Sequence, residues 1–166
     1  MSALVPDKST PIIDVLTESP LWEKEPRATE TVERAIAAAG EAIDAPLREV
    51  VVMLADDETI RRLNRDWRKI DKPTNVLSFP AARTSGIEPA MLGDIVIAYE
   101  TLARECEEEG RVFLNHLAHL AVHGFLHLMG YDHQNDSDAE AMERLETAIL
   151  ARLDMPDPYL ARDPGA

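Results

Sequence analysis

The spacing of apolar positions changes along the chain, and each change of period marks an element. Ile12, Ile13, Val15 and Leu16, within residues 11–17, predict a first strand. Val32, Ala35, Ile36, Ala39 and Ile43 then recur at helical spacing, with Thr29 as the expected cap. The unbroken run Val50-Val51-Val52-Met53-Leu54 predicts a strand covered on both faces. A second helix follows, capped by Asp56 or Asp57, with Ile60, Leu63, Asn64 and Trp67 along one side. Residues 76–79 and 92–98 read as two more strands, joined by a loop that holds Gly86 and Pro89. Three helices complete the pattern, at about residues 99–109, 112–129 and 138–153. Gly110 separates the first two, and Ser137 with Glu140 forms a capping box for the third. Strands early and helices late predict an α+β fold (an α/β sandwich), a mixed sheet of about four strands packed with helices. A chain of 166 residues can bury one substantial core, so a single domain over 1–166 is expected.

The helix predicted at 112–129 changes the picture from fold to chemistry. All five histidines lie within eighteen residues, and three of them, His123, His127 and His133, form an H-x3-H-x5-H pattern. Four residues apart on a helix, His123 and His127 stack on one face. His133 can join them only if the helix stops, and Gly130 supplies the stop through the left-handed conformation that ends helices. Three neutral imidazoles with a fourth position open is the ligand set of a catalytic zinc, one ion per chain. Zinc proteases of the H-E-x-x-H type keep a glutamate beside the first ligand as general base. Here that position is Gly124, which cannot take a proton, so peptide hydrolysis becomes the lesser reading.

Charge narrows the partner. The net charge is −14, which argues against a uniformly polyanion-binding surface. Yet between Arg61 and Arg83 there are seven basic residues (Arg61, Arg62, Arg65, Arg68, Lys69, Lys72, Arg83) and two acids, a local +5 that leaves −19 elsewhere. Such a patch can select where a polyanion docks, because fields focus in clefts and are screened within about 8–10 Å elsewhere. The alternative is a solvated helix face and loop. Cys106 is the sole cysteine, which excludes an intrachain disulfide and a Cys-based zinc site. Residues 1–7 lack the basic start and apolar run of a signal peptide, and no stretch nears eighteen uninterrupted apolar residues, so a cytoplasmic location is expected.

Several blocks together resemble the YbeY endoribonucleases, bacterial rRNA maturation factors. They are Leu63-Asn64-Arg65-Asp66-Trp67-Arg68, the segment from Asp71 to Pro80 containing P-T-N-V-L-S-F-P, Leu92-Gly93-Asp94-Ile95-Val96-Ile97, and the histidine run ending Gly130-Tyr131-Asp132-His133. A last helix with Glu140-Ala141-Met142-Glu143, then Asp157-Pro158-Tyr159, completes the match over roughly residues 48–160. The resemblance implies a zinc-dependent, single-strand-specific endoribonuclease with His123, His127 and His133 on the metal. It gives Arg68 a catalytic role beside His123, as the cation that clamps the scissile phosphate, a task suited to the two-pronged guanidinium. It also implies maturation of the 16S rRNA 3′ end and ribosome quality control, with the 16S precursor, the small ribosomal subunit and an Era-type GTPase as partners. Two other classes remain: a metal-dependent hydrolase of another bond, and a ribosome-assembly factor whose zinc is structural.

Other residues carry two readings. His116 and His119 lie on the side of His123, as groups that line the site or orient its ligands, or else as core histidines. Asp132 reads as a turn-stabilising aspartate rather than a partner of the third ligand. Met142 reads as core. Helical spacing with Ile60 and Leu63 assigns Trp67 to the core rather than to stacking on a base. Ser78 points opposite to Leu77 and Phe79, toward the cleft, without an identifiable base to make it a nucleophile.

Overall fold

A computed structural model describes residues 11–45, 48–81 and 91–160. Four strands, β1 (Ile12–Thr17), β2 (Glu49–Ala55), β3 (Val76–Pro80) and β4 (Met91–Ala98), form one mixed sheet in the order β1-β2-β4-β3. β1, β2 and β4 run parallel, and β3 closes one edge antiparallel to β4. Five helices accompany them: α1 (Ala28–Ala42), α2 (Asp57–Arg68), α3 (Tyr99–Glu109), α4 (Phe113–Leu128) and α5 (Asp136–Ala151). The α+β architecture expected from the hydrophobic pattern is the one observed. The loop carrying Arg83, Gly86 and Pro89 lies outside the described residues.

Alternation along the strands divides the molecule into two unequal layers. Val50, Val52 and Leu54 of β2 and Ile95 and Ile97 of β4 face the main core, with α1, α4 and α5. Leu77, Val96 and Ala98 face the other way and meet Ile60 of α2, with Met53, Leu63 and Phe79 packed around them. β2 is therefore less enclosed than its apolar run suggests. Val51 and Met53 are only half-buried, because three-turn α2 is the helix on that side and cannot cover the strand's full length.

Trp67 departs most from expectation. It shares a helical face with Ile60 and Leu63, yet it is 71% exposed, whereas Ile60 is fully buried. The reason is where the sheet ends. β3 is the edge strand, so by the last turn of α2 little sheet remains to cover the indole, which meets the Phe79 ring at 61° with centroids 6.2 Å apart. Met142, in contrast, is core as expected.

Helix starts explain the remaining shifts. Asp56 caps α2, its carboxylate accepting from the Thr59 N–H at 2.9 Å. Asp57 serves α3 instead, accepting from the backbone and hydroxyl of Thr101 at 3.0 and 2.7 Å, while Glu100 accepts from the Asp57 N–H at 2.8 Å. This exchange ties the two N-termini together and supplies α3 with the cap that Ala98 lacks. α1 begins at Ala28 after a turn at Pro26 and Arg27, which leaves Thr29 inside the first turn rather than capping it. α5 begins earlier than the Ser137–Glu140 box would have it. Asn135 accepts from the Asp138 N–H at 2.8 Å, and Ser137 falls within the first turn.

Candidate metal centre and cleft

α4 is the buried centre of the molecule, packed on α1, α3 and α5 and against β3 and β4. Its close approach to the sheet depends on Gly124. A Cβ there would sit 3.0 Å from Ile95 Cγ2 and 3.1 Å from Ser78 Oγ. Ser78 points to this side of the sheet, as alternation requires, but its hydroxyl donates to the Gly124 carbonyl at 2.9 Å. The serine is a strut between strand and helix. The position occupied by glutamate in zinc proteases thus faces packed sheet in this chain.

The opposite side of α4 carries the histidines. The helix ends after Leu128, Gly130 adopts φ +95°, and the chain turns back so that His133 returns to the first pair. His123, His127 and His133 each offer a ring nitrogen, and these atoms all lie within 4.8 Å of one another. The Nε2 atoms of His123 and His127 face each other at 3.0 Å, near the separation of about 3.3 Å between tetrahedral donors placed 2.0–2.1 Å from one ion. Burial pushes the His127 imidazole below its ordinary pKa, and the neighbouring rings of His123 and His133 push it the same way. It is held in the neutral form that a metal requires. The three side chains fit a metal ion.

Glu146 of α5 organises this group, and it is fully buried. Burial alone would raise its carboxyl, but hydrogen bonds from His119, His123 and Tyr159 outweigh that and hold it at about 2. An ionised carboxylate can only accept, so His123 Nδ1 donates to it at 2.6 Å and His119 Nε2 at 2.9 Å, and the Tyr159 hydroxyl donates as well. With its proton fixed on Nδ1, His123 presents a bare Nε2 toward His127, the arrangement by which a carboxylate orients a metal-bound imidazole. Glu146 was not among the residues singled out from the sequence. The available signal was its phase: it shares the apolar side of α5 with Met142, Ile149 and Leu150, where an unpaired charge would be costly.

His116 and His119 separate in role. His119 shares the Glu146 carboxylate with His123. His116 instead bonds Glu105 at 2.9 Å, and Glu105 also accepts from Asn75 at 3.0 Å. Asp132 is fully exposed and accepts from the His133 N–H at 2.7 Å, which holds its carboxyl below the usual range and steadies the turn.

A cleft of about 620 Å³ opens over the three histidines. β3 supplies one wall through Val76, Ser78 and Pro80, α4 another through His116, His119 and Leu120, and Tyr159 lines it beside His119. Arg68, the last residue of α2, lines the same cleft. It makes no hydrogen bond or ion pair with the described residues, whereas Arg61, Arg62 and Arg65 are each engaged by a nearby acid. The structure therefore brings Arg68 to the histidines that a separation of more than fifty positions in sequence kept apart.

Residues 17–154 match the sequence model of the family described as Endoribonuclease YbeY. An endoribonuclease YbeY of Bradyrhizobium diazoefficiens is 57% identical over 162 residues, covering 93% of this chain and 88% of its own. One from Rhodopseudomonas palustris is 54% identical, with 92% of both chains covered. Among solved structures, the solution structure of TM1509 from Thermotoga maritima superposes with a TM-score of 0.55 at 25% identity, covering 93% of this chain and 99% of that one. The chain belongs to the YbeY endoribonuclease family.

Proposed function

We propose that this member of the family is a metal-dependent endoribonuclease that cuts single-stranded RNA in the cleft between β3 and α4. The observation that carries the reading is the convergence of three imidazole donors and one arginine, unpaired among the described residues, on a single cleft. His123, His127 and His133 would hold one zinc ion, for which three imidazoles and an open fourth position are a catalytic ligand set. When bound, that ion supplies a Lewis acid to the phosphodiester. The chain's own groups do the rest. Arg68 grips non-bridging phosphate oxygens through two parallel N–H donors, restraining the strand and offsetting charge as the bond breaks. Glu146 keeps the His123 proton on Nδ1. Ser78 is already committed to the Gly124 carbonyl and takes no covalent part.

The same reading makes precursor 16S rRNA the substrate, near its 3′ end, with a further part in ribosome quality control. It makes the small ribosomal subunit and an Era-type GTPase the partners, and the cytoplasm the site of action. No helix among the described residues is long and apolar enough to cross a membrane.

The test is cleavage by the purified full chain. Unpaired RNA should be cut and the cutting abolished by a chelator, while casein survives. Chelator-sensitive proteolysis with RNA left intact would overturn the reading. Arg68→Ala should retain metal and fold but lose most cleavage, and Arg68→Lys should recover only part, since an ammonium restores charge without the fork. Wild-type turnover by Arg68→Ala would remove the arginine from the site.

A further inference from the structure

We propose that Trp67 is a stacking platform for an unpaired base of the strand that occupies the cleft. The inference rests on the nuclease reading and adds a subsite to it.

At 71% exposure Trp67 is the most exposed large apolar side chain among the described residues. An indole left in water forfeits the burial free energy that ordinarily draws aromatic side chains inside. Its position is fixed from two sides. It stands in the last turn of α2, immediately before Arg68, and the indole and the Phe79 ring meet at a steep 61°, with centroids 6.2 Å apart. Phe79 belongs to β3, whose neighbouring residues Ser78 and Pro80 line the cleft on the other side of the same strand. Trp67 and Arg68 thus straddle the sheet edge, one at the outer rim and one inside.

The surroundings select the occupant. Arg65, Arg68, Lys69 and Lys72 flank the indole in sequence, and the helix closes at Lys69 with φ +62°, turning the chain sharply there. Arg68 and Lys72 form no ion pair with the described residues, on a chain whose net charge is −14. An apolar protein partner would gain nothing from these cations. A polyanion with aromatic units uses both features, the cations for phosphates and the indole face for a base, and stacking of this kind tolerates any base sequence. It also requires the base to be unpaired, because a duplex keeps its faces occupied. A strand held by Arg68 at one phosphate and by Trp67 at an adjoining base is single-stranded at the point of cleavage. Trp67 in this role positions substrate and takes no part in the bond-breaking itself.

The experiment titrates the zinc-loaded full chain with oligouridylate and with an RNA duplex, following affinity, cleavage and indole fluorescence. Trp22 is buried and hydrogen-bonded to Ala55, so the difference between wild type and Trp67→Phe isolates the signal of Trp67. The single strand should quench that signal and the duplex should not. Trp67→Ala should bind oligouridylate about 5- to 150-fold more weakly, the range for losing one aromatic platform. The loss should appear in KM rather than kcat, with zinc content and melting temperature unchanged. Trp67→Phe should retain most of the affinity, and Trp67→Leu should behave like Trp67→Ala. Undiminished binding by Trp67→Ala, or full retention by Trp67→Leu, would sink the stacking role while wild-type cleavage leaves the nuclease reading standing. Failure of the wild type to bind or cut RNA would overturn both.

Discussion

At the level of single residues, the centre divides into donors that one local pattern brings together and a support that reaches them from a different helix. H-x3-H-x5-H with Gly130 predicts that three imidazoles converge, because helix geometry and a glycine stop fix which rings can meet, and both operate within eleven residues. Glu146 acts from another helix, thirteen positions after the last ligand, in an acidic segment where Glu140 and Glu143 look equivalent to it. Only its phase, on the side of α5 that also carries Met142, Ile149 and Leu150, sets it apart. The division has a measurable consequence in metal affinity. Against a competing chromophoric chelator, His123→Ala should lose most bound metal, because two imidazoles alone hold zinc poorly. Glu146→Gln retains the shape but accepts fewer charge-assisted bonds, and should bind about 10- to 100-fold more weakly, the usual effect of losing the group that orients a ligand. His116→Ala should keep near-wild-type metal content, since His116 bonds Glu105 and not the Glu146 network. Equal loss in His116→Ala and Glu146→Gln would mean that Glu146 acts through general packing.

Among the elements, α2 bears most on the proposed function, because its last residue, Arg68, lines the cleft and the exposed Trp67 stands immediately before it. Its start was legible: Asp56 or Asp57 as cap follows from local chemistry, and the structure gives the two different tasks. Its end was not. Whether Trp67 is covered depends on how many strands lie beneath it, and strand order is set by long-range pairing that helical periodicity does not encode. The cap offers a test that includes pH. The Thr59 N–H holds the Asp56 carboxyl below its ordinary value, so the ionised form is favoured by folding. A depressed folded value means that its contribution is complete above the unfolded value, about 3.9, and is lost as pH falls through the folded one. In urea denaturation of metal-free protein at pH 7, Asp56→Ala should cost about 1 kcal/mol, within a range of roughly 0.5–2. That difference from wild type should shrink below about pH 4. Asp56→Asn should keep much of the stability and lack the pH dependence. A cost that stays constant into acid would assign Asp56 a role other than capping.

Across the whole molecule, charge and fold serve different ends. The mixed sheet packed with helices was expected from the order of strands and helices, because each segment's period agrees with its place in the layers. Net charge could not be read the same way, since −14 describes a sum while RNA responds to a local field. Arg61 to Lys72 lie on α2 and the turn after it, an excess of cations countered only by Asp66 and Asp71, and Arg68 at the end of that helix lines the cleft. If that patch carries the phosphate contacts, affinity for single-stranded RNA should fall linearly on a log–log plot against salt, with a slope of about −0.7 per phosphate neutralised. Replacing Lys69 and Lys72 together by Gln should make the slope shallower by roughly 1.4 if each meets one phosphate. Arg34→Gln on α1 removes the same kind of charge from the acidic body, and should leave the slope unchanged because exposed charges more than about 8–10 Å apart are screened from one another. Equal effects from α1 and from the α2 turn would mean that RNA senses the total charge rather than the patch, and the acidic body would then have no means of directing the strand to the histidines.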